Sequence, residues 1–359
     1  MKRSTALVGL VAVGALSLTA CGSDDNTTDN GAAANIDCAT GDLKGAGSTF
    51  QKNIVSEWIK AYTGACKDAT LDYQGIGSGA GIKQFGAGTV DFAGSDSTMK
   101  DDEQADADKR CASPALHLPI SAGGISIAYQ LEGVDELQLS PATIAGIFQG
   151  TVKSWDDAAV KADNPDVELP KVAITAVHRE DSSGTTSVFS KWLSKTAADA
   201  WKLGDGKELS WPAGVQGAKG SDGVTQAVLA ADGGITYTEV SYAENAGLSS
   251  AKVKNGAGEY TELTGESVSK ALEGAQLPAS GNDLKVDYDY ANTTAGAYPI
   301  TALTYEIVCT KGDAAKQALL KSFLTYAVTD GQDAAEENGY APLPGNVVDR
   351  VKTAVAALS

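Results

Sequence analysis

Three turns rich in glycine, serine and threonine most constrain the fold of this chain, because each lies between a predicted strand and a predicted helix. They are residues 45–50 (GAGSTF), 75–81 (GIGSGAG) and 179–186 (REDSSGTT). A helix that begins at such a turn has backbone N–H groups without carbonyl partners, and its dipole is positive at that end. Strands that alternate with helices in this way predict an α/β fold with a mostly parallel sheet covered by helices on both faces.

The third turn lies between a strand predicted at 172–177 and a helix predicted at 187–201, and it carries the strongest sign of a ligand. It combines the Arg179 guanidinium with four hydroxyls and a glycine, and such a set favours an anion with several oxygens. Each turn also has a purely structural explanation. The first is explained by Ser48 or Thr49 as a helix N-cap, the second by tight packing of a helix on the sheet, and the third by a solvated ion pair. The repetition of the pattern favours an anion site over these alternatives.

An aspartate follows the predicted strand 90–93, within residues 93–97 (AGSDS). A carboxylate repels most anions, but Asp96 can accept a hydrogen bond from an oxyanion that carries a proton. Sulfate has no such proton at neutral pH, so two sets of lone pairs would face each other. The alternative is an Asp that bonds its own backbone in a turn.

Composition excludes one class of partner. The chain has 359 residues, which suggests two domains, and its 28 basic and 46 acidic residues give a formal net charge of −18. A nucleic-acid partner needs basic patches, so the charge argues against one. A small anion stays possible, because local N–H groups and one Arg outweigh distant, screened charges.

The N-terminus has the pattern of an export signal. Lys2 and Arg3 precede an apolar run over 6–18, which is too short to span a membrane, and small residues lead to Cys21. We interpret 1–20 as a lipoprotein signal peptide and 21–40 as the lipidated Cys21 with a flexible tether. An ordinary secretory signal is the alternative. The expected location is the extracytoplasmic face of the cell membrane, reached through a lipid anchor.

Four further cysteines are present, and an even number in an exported protein favours two disulfides over free thiols. Three pairings are possible. The layout favours Cys38 with Cys66 and Cys111 with Cys309, because each pair flanks strands that we expect to be neighbours. A metal site is poorly supported, since the chain has two His and no CxxC motif.

Two long extended segments, near 115–129 and 298–309, bracket the middle of the chain. We interpret them as crossovers between two lobes. Lobe I would comprise 41–118 plus 300–359, and lobe II would comprise 119–299. Two such lobes can close over a ligand in the cleft between them.

The motifs recur in the order found in a known family. Besides the three turns and the Asp96 segment, the chain contains 149–156 (QGTVKSWD) and 298–300 (YPI). From about Leu43 to its C-terminus it resembles the phosphate-binding proteins of Pst-type ABC phosphate importers. The resemblance implies a type II periplasmic-binding-protein-like fold, with two lobes joined by two crossover strands and the ligand in the cleft.

The resemblance also implies which residues contact phosphate. Thr49 and Phe50 would give backbone N–H groups, Asp96 would accept the phosphate proton, Arg179 would clamp the anion, and Asp181 would orient Arg179. The remaining implied contacts are Ser78, Ser183, Gly184 and Thr185. Ser182 departs from the family, whose members often have Gly at this position, but the change should not remove a donor.

The leading hypothesis is therefore a lipid-anchored, monomeric receptor that captures inorganic phosphate and delivers it to a membrane permease, without a cofactor or a metal. A receptor for sulfate, molybdate or a phosphate ester is the first alternative. An enzyme is less favoured, because no GxSxG surrounds Ser48, Ser78 or Ser183 and only His117 and His178 are available as bases. An adhesion or signalling protein would fit the tether but would not require the three turns.

Overall fold

The computed structural model of the protein describes residues 36–273 and 275–359. The predicted signal peptide, Cys21 and most of the predicted tether lie outside these residues. Within the described ranges, none of the helices combines the length and apolar character that crossing a membrane requires.

The N-terminal third alternates strands and helices as the sequence pattern indicates. Its elements are β1 (Gly41–Gly47), α1 (Lys52–Ala65), β2 (Ala69–Gly75), α2 (Ser78–Gly86), β3 (Phe92–Ser95), α3 (Asp101–Cys111) and β4 (Ala115–Gln130). Each of the first three strands is followed by a helix, so β1 pairs in parallel with both β2 and β3.

The middle and end of the chain contain the remaining elements. The middle has β5 (Gln138–Leu139), α4 (Pro141–Phe148), α5 (Ala158–Asp163), β6 (Thr175–Arg179), α6 (Gly184–Thr196), β7 (Gln216–Ala218), α7 (Gly220–Leu229), β8 (Gly234–Glu239), α8 (Val240–Ala246), β9 (Ser249–Ser250), β10 (Lys252–Lys254), β11 (Tyr260–Thr261) and α9 (Gly265–Leu272). The end has β12 (Thr301–Cys309), α10 (Ala314–Ala327), α11 (Gly331–Glu337) and α12 (Gly345–Ala356).

The main sheet has nine strands, in the order β2-β1-β3-β12-β4-β8-β6-β7, with β9 paired to β4. The long strand β4 changes partners along its length: residues 115–124 pair with β12, and residues 125–130 pair with β8. Both β4 and β12 are buried almost throughout. These two strands therefore join the two flanks of the sheet through its core.

The expectation of a mostly parallel sheet is correct at the two flanks and wrong at the centre. Strands β6, β7 and β8 pair in parallel, as β1, β2 and β3 do. In contrast, β12 is antiparallel to β3 and β4, and β4 is antiparallel to β8. The physical reason is the chain path: β4 leaves the first flank and β12 returns to it, so they run in opposite directions.

Three predicted element boundaries at the turns were also wrong. The strand predicted at 172–177 is β6, which ends at Arg179, and the helix predicted at 187–201 is α6, which begins at Gly184. Helix α6 begins early because the Ser183 side chain accepts a hydrogen bond from the Thr186 N–H. In the first turn neither Ser48 nor Thr49 is an N-cap, because α1 begins only at Lys52.

Both favoured cysteine pairings are confirmed. Cys38 and Cys66 form one disulfide, with a Cα–Cα distance of 5.4 Å, and Cys111 and Cys309 form the other, at 5.3 Å. The second disulfide joins the end of α3 to the end of β12, across 198 residues of sequence. It therefore links the returning strand to the flank that carries the first two turns.

Candidate anion-binding site

Asp96 lies at the centre of the site, one residue beyond the end of β3, and is 4% exposed. Ser48 Oγ, from the turn after β1, donates to Asp96 Oδ1 at 2.5 Å. Thr185 Oγ1, in the first turn of α6, donates to Oδ2 at 3.2 Å, and the Asp96 N–H donates to Ser78 Oγ at 3.3 Å. One carboxyl residue is therefore in hydrogen-bond contact with all three turns.

The surroundings of Asp96 act on its protonation in opposite directions. Burial raises the pKa of Asp96, and hydrogen bonds from Ser48, Thr304 and Thr185, together with the Arg179 charge, only partly oppose that rise. A carboxylate in such a place binds a proton more readily than an exposed aspartate does. It is therefore suited to sharing a proton with an oxyanion.

Arg179 is the last residue of β6, and its side chain is 1% exposed. Its Nε and Nη2 donate to the two Asp181 carboxylate oxygens at 2.7 Å and 2.5 Å, which is a bidentate pair. Burial tends to raise the pKa of Asp181, but the hydrogen bonds and charge of Arg179 outweigh it and hold that pKa below its usual range. The Gly220 N–H donates to Asp181 at 3.0 Å. Asp181 thus holds the guanidinium in one orientation.

The N-terminus of α6 points its first N–H groups at the same region. Ser183 is the N-cap, and its Oγ accepts from the Thr186 N–H at 3.1 Å. The Ser183 N–H donates to the Lys207 carbonyl at 2.9 Å. The N–H groups of Gly184 and Thr185 belong to the first turn, where a helix supplies no carbonyl partners. Among residues 36–273 and 275–359 neither N–H has an acceptor, so both are free for a ligand oxygen.

Gly184 is required by close approach of two turns. A Cβ at this position would lie 2.4 Å from Ser78 Oγ and 2.8 Å from the nearest Asp96 carboxylate oxygen. Both distances are well below van der Waals contact, so any other residue would push α6 away from Asp96. The absence of a side chain lets the positive end of the helix reach the carboxylate.

The first turn also contacts the second flank, through Thr49. The Thr49 hydroxyl lies 2.9 Å from Ser221 Oγ and accepts from the Ser221 N–H at 3.2 Å, while the Thr49 carbonyl accepts from Tyr242 Oη at 2.7 Å. The Phe50 N–H, which the resemblance assigns to phosphate, donates to Ser48 Oγ at 2.9 Å. The Thr49 side chain thus faces Ser221, whereas the Phe50 N–H already has an intramolecular acceptor.

Several residues that contact the site were absent from the predicted set, among them Ser48, which sequence analysis considered only as a helix N-cap. Thr304 Oγ1, on β12, lies 3.0 Å from Asp96 Oδ1, and Ser221, in the first turn of α7, contacts Thr49. A signal for Thr304 was present in the sequence, since Thr304 and Glu306 interrupt an otherwise largely apolar strand. No comparable signal marks Ser221.

The two histidines lie outside the cluster. His117 is buried, its Nδ1 is 2.7 Å from Asp283 Oδ1, and its Nε2 accepts from the Met99 N–H at 3.0 Å. His178 stacks on Trp211 with ring centroids 4.6 Å apart. Burial is the largest influence on both and lowers the pKa of each. In the part of the chain that the structure describes, neither ring is bonded to a serine, and no group of three acidic, His or Cys side chains could hold a metal.

The assembled groups have a definite chemical capacity. One guanidinium, free helix N–H groups and several hydroxyls can donate hydrogen bonds to a small oxyanion. One carboxylate, Asp96, can accept a bond from it. Such a set fits an anion that has several oxygens and at least one proton.

Comparisons with known proteins agree on one family. A family model described as a PBP superfamily domain matches residues 32–331. The chain is 40% identical to phosphate-binding protein PstS 3 of Mycobacterium tuberculosis, over 100% of both chains. It is 39% identical to the Mycobacterium leprae PstS 3, over 99% of this chain and 98% of that protein. It is 35% identical to PstS of Xylella fastidiosa, over 86% and 84% respectively.

Solved structures share the fold at lower sequence identity. One is a high-affinity periplasmic phosphate-binding protein (PfluDING) bound with phosphate, which has 24% identity, a TM-score of 0.69, and coverage of 87% of this chain and 93% of that one. Another is a phosphate-binding protein from Stenotrophomonas maltophilia, with 22% identity, a TM-score of 0.67 and the same coverage. The type II periplasmic-binding-protein architecture is therefore confirmed. With relatives that match over its whole length, the chain belongs to the family of PstS-type phosphate-binding proteins.

Proposed function

We propose that this protein is an extracytoplasmic receptor that binds inorganic phosphate with high affinity and delivers it to an ABC permease. The observation that carries the proposal is the single acceptor, Asp96, among donors from three turns and beside the oriented guanidinium of Arg179. Phosphate is an oxyanion that keeps a proton at neutral pH, so it satisfies the acceptor as well as the donors. The names of the full-length relatives support the same ligand.

The same contacts support a binding role without catalysis. Receptors need only hold and release the anion, and no nucleophile–base pair is formed by the His and Ser side chains of residues 36–273 and 275–359. We infer that the protein turns over no phosphate ester.

We also propose how the receptor is arranged in the cell. Strands β4 and β12 would join lobe I (41–118 plus 300–359) to lobe II (119–299). The two lobes would close on phosphate in the cleft between them. Lipidation at Cys21 would hold a monomer at the membrane beside its permease. The pairing of β4 with β12 and then with β8 supports such a two-lobed division.

The direct test is to identify and measure the ligand. We expect protein that is purified without added phosphate and then denatured to release phosphate close to one equivalent per chain. Calorimetry on protein from which the bound phosphate has been removed should then show tight phosphate binding and far weaker sulfate binding. Equal affinity for sulfate would contradict the proposal, and hydrolysis of a chromogenic phosphate ester would contradict the non-catalytic role.

An ion pair beside the site predicts a change in release rate. Lys207 Nζ lies 2.7 Å and 2.6 Å from the two Glu103 carboxylate oxygens, and the Lys207 carbonyl holds the Ser183 N–H. The pair therefore ties α3 to the loop after α6, whose Lys207 carbonyl holds the α6 N-cap residue, Ser183. We expect Glu103→Gln to speed phosphate dissociation about fivefold, since a partly buried pair contributes about 1 kcal/mol and acts mainly on dissociation.

Stopped-flow measurement of phosphate release checks this prediction. Gln at position 103 can still accept the Lys100 N–H bond that Glu103 makes at the start of α3, so the helix cap survives the change. Glu57→Gln is the matched control, because Glu57 pairs with Lys60 at an exposed position on α1. An unchanged dissociation rate in Glu103→Gln would show that the pair does not restrain release.

A further inference from the structure

A line of buried polar side chains leads from Asp96 into the core. Thr304 Oγ1 lies 3.0 Å from Asp96 Oδ1 and also contacts the Gln51 side-chain oxygen. The other end of the Gln51 amide, Nε2, lies 2.7 Å from Glu306 Oε1. Gln51, Thr304 and Glu306 are each fully buried. The line therefore joins two carboxyl groups through one amide and one hydroxyl.

The fold makes room for this line at Gly94. A Cβ on Gly94 would lie 2.1 Å from Gln51 Nε2 and 2.1 Å from the Tyr73 hydroxyl. Gly94 is paired with Glu306 across β3 and β12, directly beside the buried amide. Glycine at position 94 therefore leaves room for the Gln51 side chain between β3 and β12.

Glu306 lies in a place that suits an uncharged acid. Its Oε2 has no hydrogen-bond partner among residues 36–273 and 275–359, and the only polar side chain bonded to Oε1 is the Gln51 amide. An ionised carboxylate here would leave charge on an oxygen without a donor, whereas a neutral acid leaves only a carbonyl oxygen. Burial raises the pKa of Glu306 well above its usual range, and the Gln51 hydrogen bond opposes this only in part.

The proton on Glu306 determines the direction of every bond in the line. The two ends of the Gln51 amide have the same shape, so hydrogen bonding alone decides which end faces Glu306. An ionised Glu306 attracts the NH₂ group, the amide oxygen then takes the Thr304 proton, and Asp96 loses a donor. In the structure the NH₂ group faces Glu306 and the amide oxygen faces Thr304. A neutral Glu306 favours the amide turned end for end, so that Glu306 donates to the amide oxygen, the NH₂ group donates to Thr304, and the Thr304 proton is free for Asp96.

We propose that Glu306 is a positioning residue for phosphate binding, and that its uncharged carboxyl turns Gln51 and Thr304 so that the Thr304 hydroxyl donates to Asp96. With that donor in place, Asp96 is held as a carboxylate whose free lone pair receives the phosphate proton. Glu306 acts through Gln51 and Thr304 and does not touch the ligand. The role in binding depends on the proposed phosphate function, while the uncharged state of Glu306 does not.

The first test examines Glu306 alone. Protein carrying glutamate labelled with ¹³C at the carboxyl carbon should show, near neutral pH, a resonance typical of a neutral carboxyl that disappears in Glu306→Gln. Labelling of glutamate leaves Asp96 silent. Glu239, the other fully buried glutamate with a raised pKa, provides the control, because Glu239→Gln should leave this resonance in place. A Glu306 resonance typical of a carboxylate would overturn the proposal, whether or not the protein binds phosphate.

The second test uses calorimetry to measure the affinity for inorganic phosphate in variants of Thr304 and Glu306. Thr304→Val should weaken binding about tenfold through loss of a hydrogen bond to a charged group, and Thr304→Ser should restore it to within about threefold. Glu306→Gln, which still donates an N–H to Gln51, should bind nearly as wild type does. Glu306→Met, which donates nothing, should weaken binding by about fivefold to tenfold.

The pattern of these variants separates positioning from packing. Equal loss in Glu306→Gln and Glu306→Met, or no recovery in Thr304→Ser, would overturn the proposal. Melting temperatures of the stripped proteins identify a variant that fails to fold, and the two Thr304 variants together with the ¹³C resonance then decide the outcome. If wild-type protein binds no phosphate, the proposed function fails, and the resonance still tests the state of Glu306.

Discussion

Arg179→Ala is expected to weaken phosphate binding by about a thousandfold or more, which corresponds to about 4 kcal/mol. The guanidinium is the only cationic side chain that contacts the core of the site in the described part of the chain, and its side chain is 1% exposed. Charge-assisted bonds are strong in such surroundings. The substitution would also leave Asp181 buried without its partner, so its negative charge would repel the anion as well.

Calorimetry with phosphate measures this loss, and two further variants show where it comes from. Arg350→Ala is the matched control, because Arg350 lies on α12, where its side chain donates to the Pro278 and Gly281 carbonyls, and its loss should leave binding unchanged. Arg179→Lys keeps the charge but cannot form the bidentate pair with Asp181, so it should recover only part of the affinity. If Arg179→Ala melts normally and binds phosphate as tightly as the wild type, Arg179 does not contribute to phosphate binding.

The parts of the site that sequence analysis predicted are those with a local cause. Arg179, Asp181, Ser183 and Gly184 lie within one short turn, whose residue types indicated an anion-binding turn but not the Ser183 N-cap. The start of α6 was nevertheless placed three residues too late, because residues 184–186 were interpreted as turn and not as its first helical residues. Local patterns identify a turn more reliably than they set the first helical residue.

The parts that were missed depend on pairing between distant segments. Thr304 reaches Asp96 only because β12 lies antiparallel to β3, with Tyr305 opposite Ser95, about two hundred residues away in sequence. Nothing local in either strand specifies this register. The antiparallel centre of the sheet was missed for the same reason, and the Phe50 N–H bond to Ser48 depends on how the first turn folds back on itself.

Asp96→Asn is expected to reduce the preference for phosphate over sulfate by about a thousandfold, or about 4 kcal/mol in relative binding free energy. In the wild-type protein, the Asp96 carboxylate accepts the phosphate proton but faces only lone pairs on sulfate. The asparagine amide can turn its NH₂ group toward the anion and donate to either one. The site then has no acceptor for the phosphate proton and one more donor for sulfate. The affinity for phosphate therefore falls, and the affinity for sulfate rises.

Competition calorimetry with both anions checks the direction of each change. Asp101→Asn is the control, because Asp101 is an exposed carboxylate in the first turn of α3, and the substitution should leave the preference intact. The hydroxyls of Ser48, Thr304 and Thr185 surround position 96 in both proteins, and Asn has nearly the same shape as Asp. If the substitution only loosened the site, the affinities for both anions would therefore fall together. Only the loss of an acceptor for the ligand proton lowers the affinity for phosphate while raising the affinity for sulfate. If both affinities changed in the same direction, Asp96 would not be the acceptor of that proton.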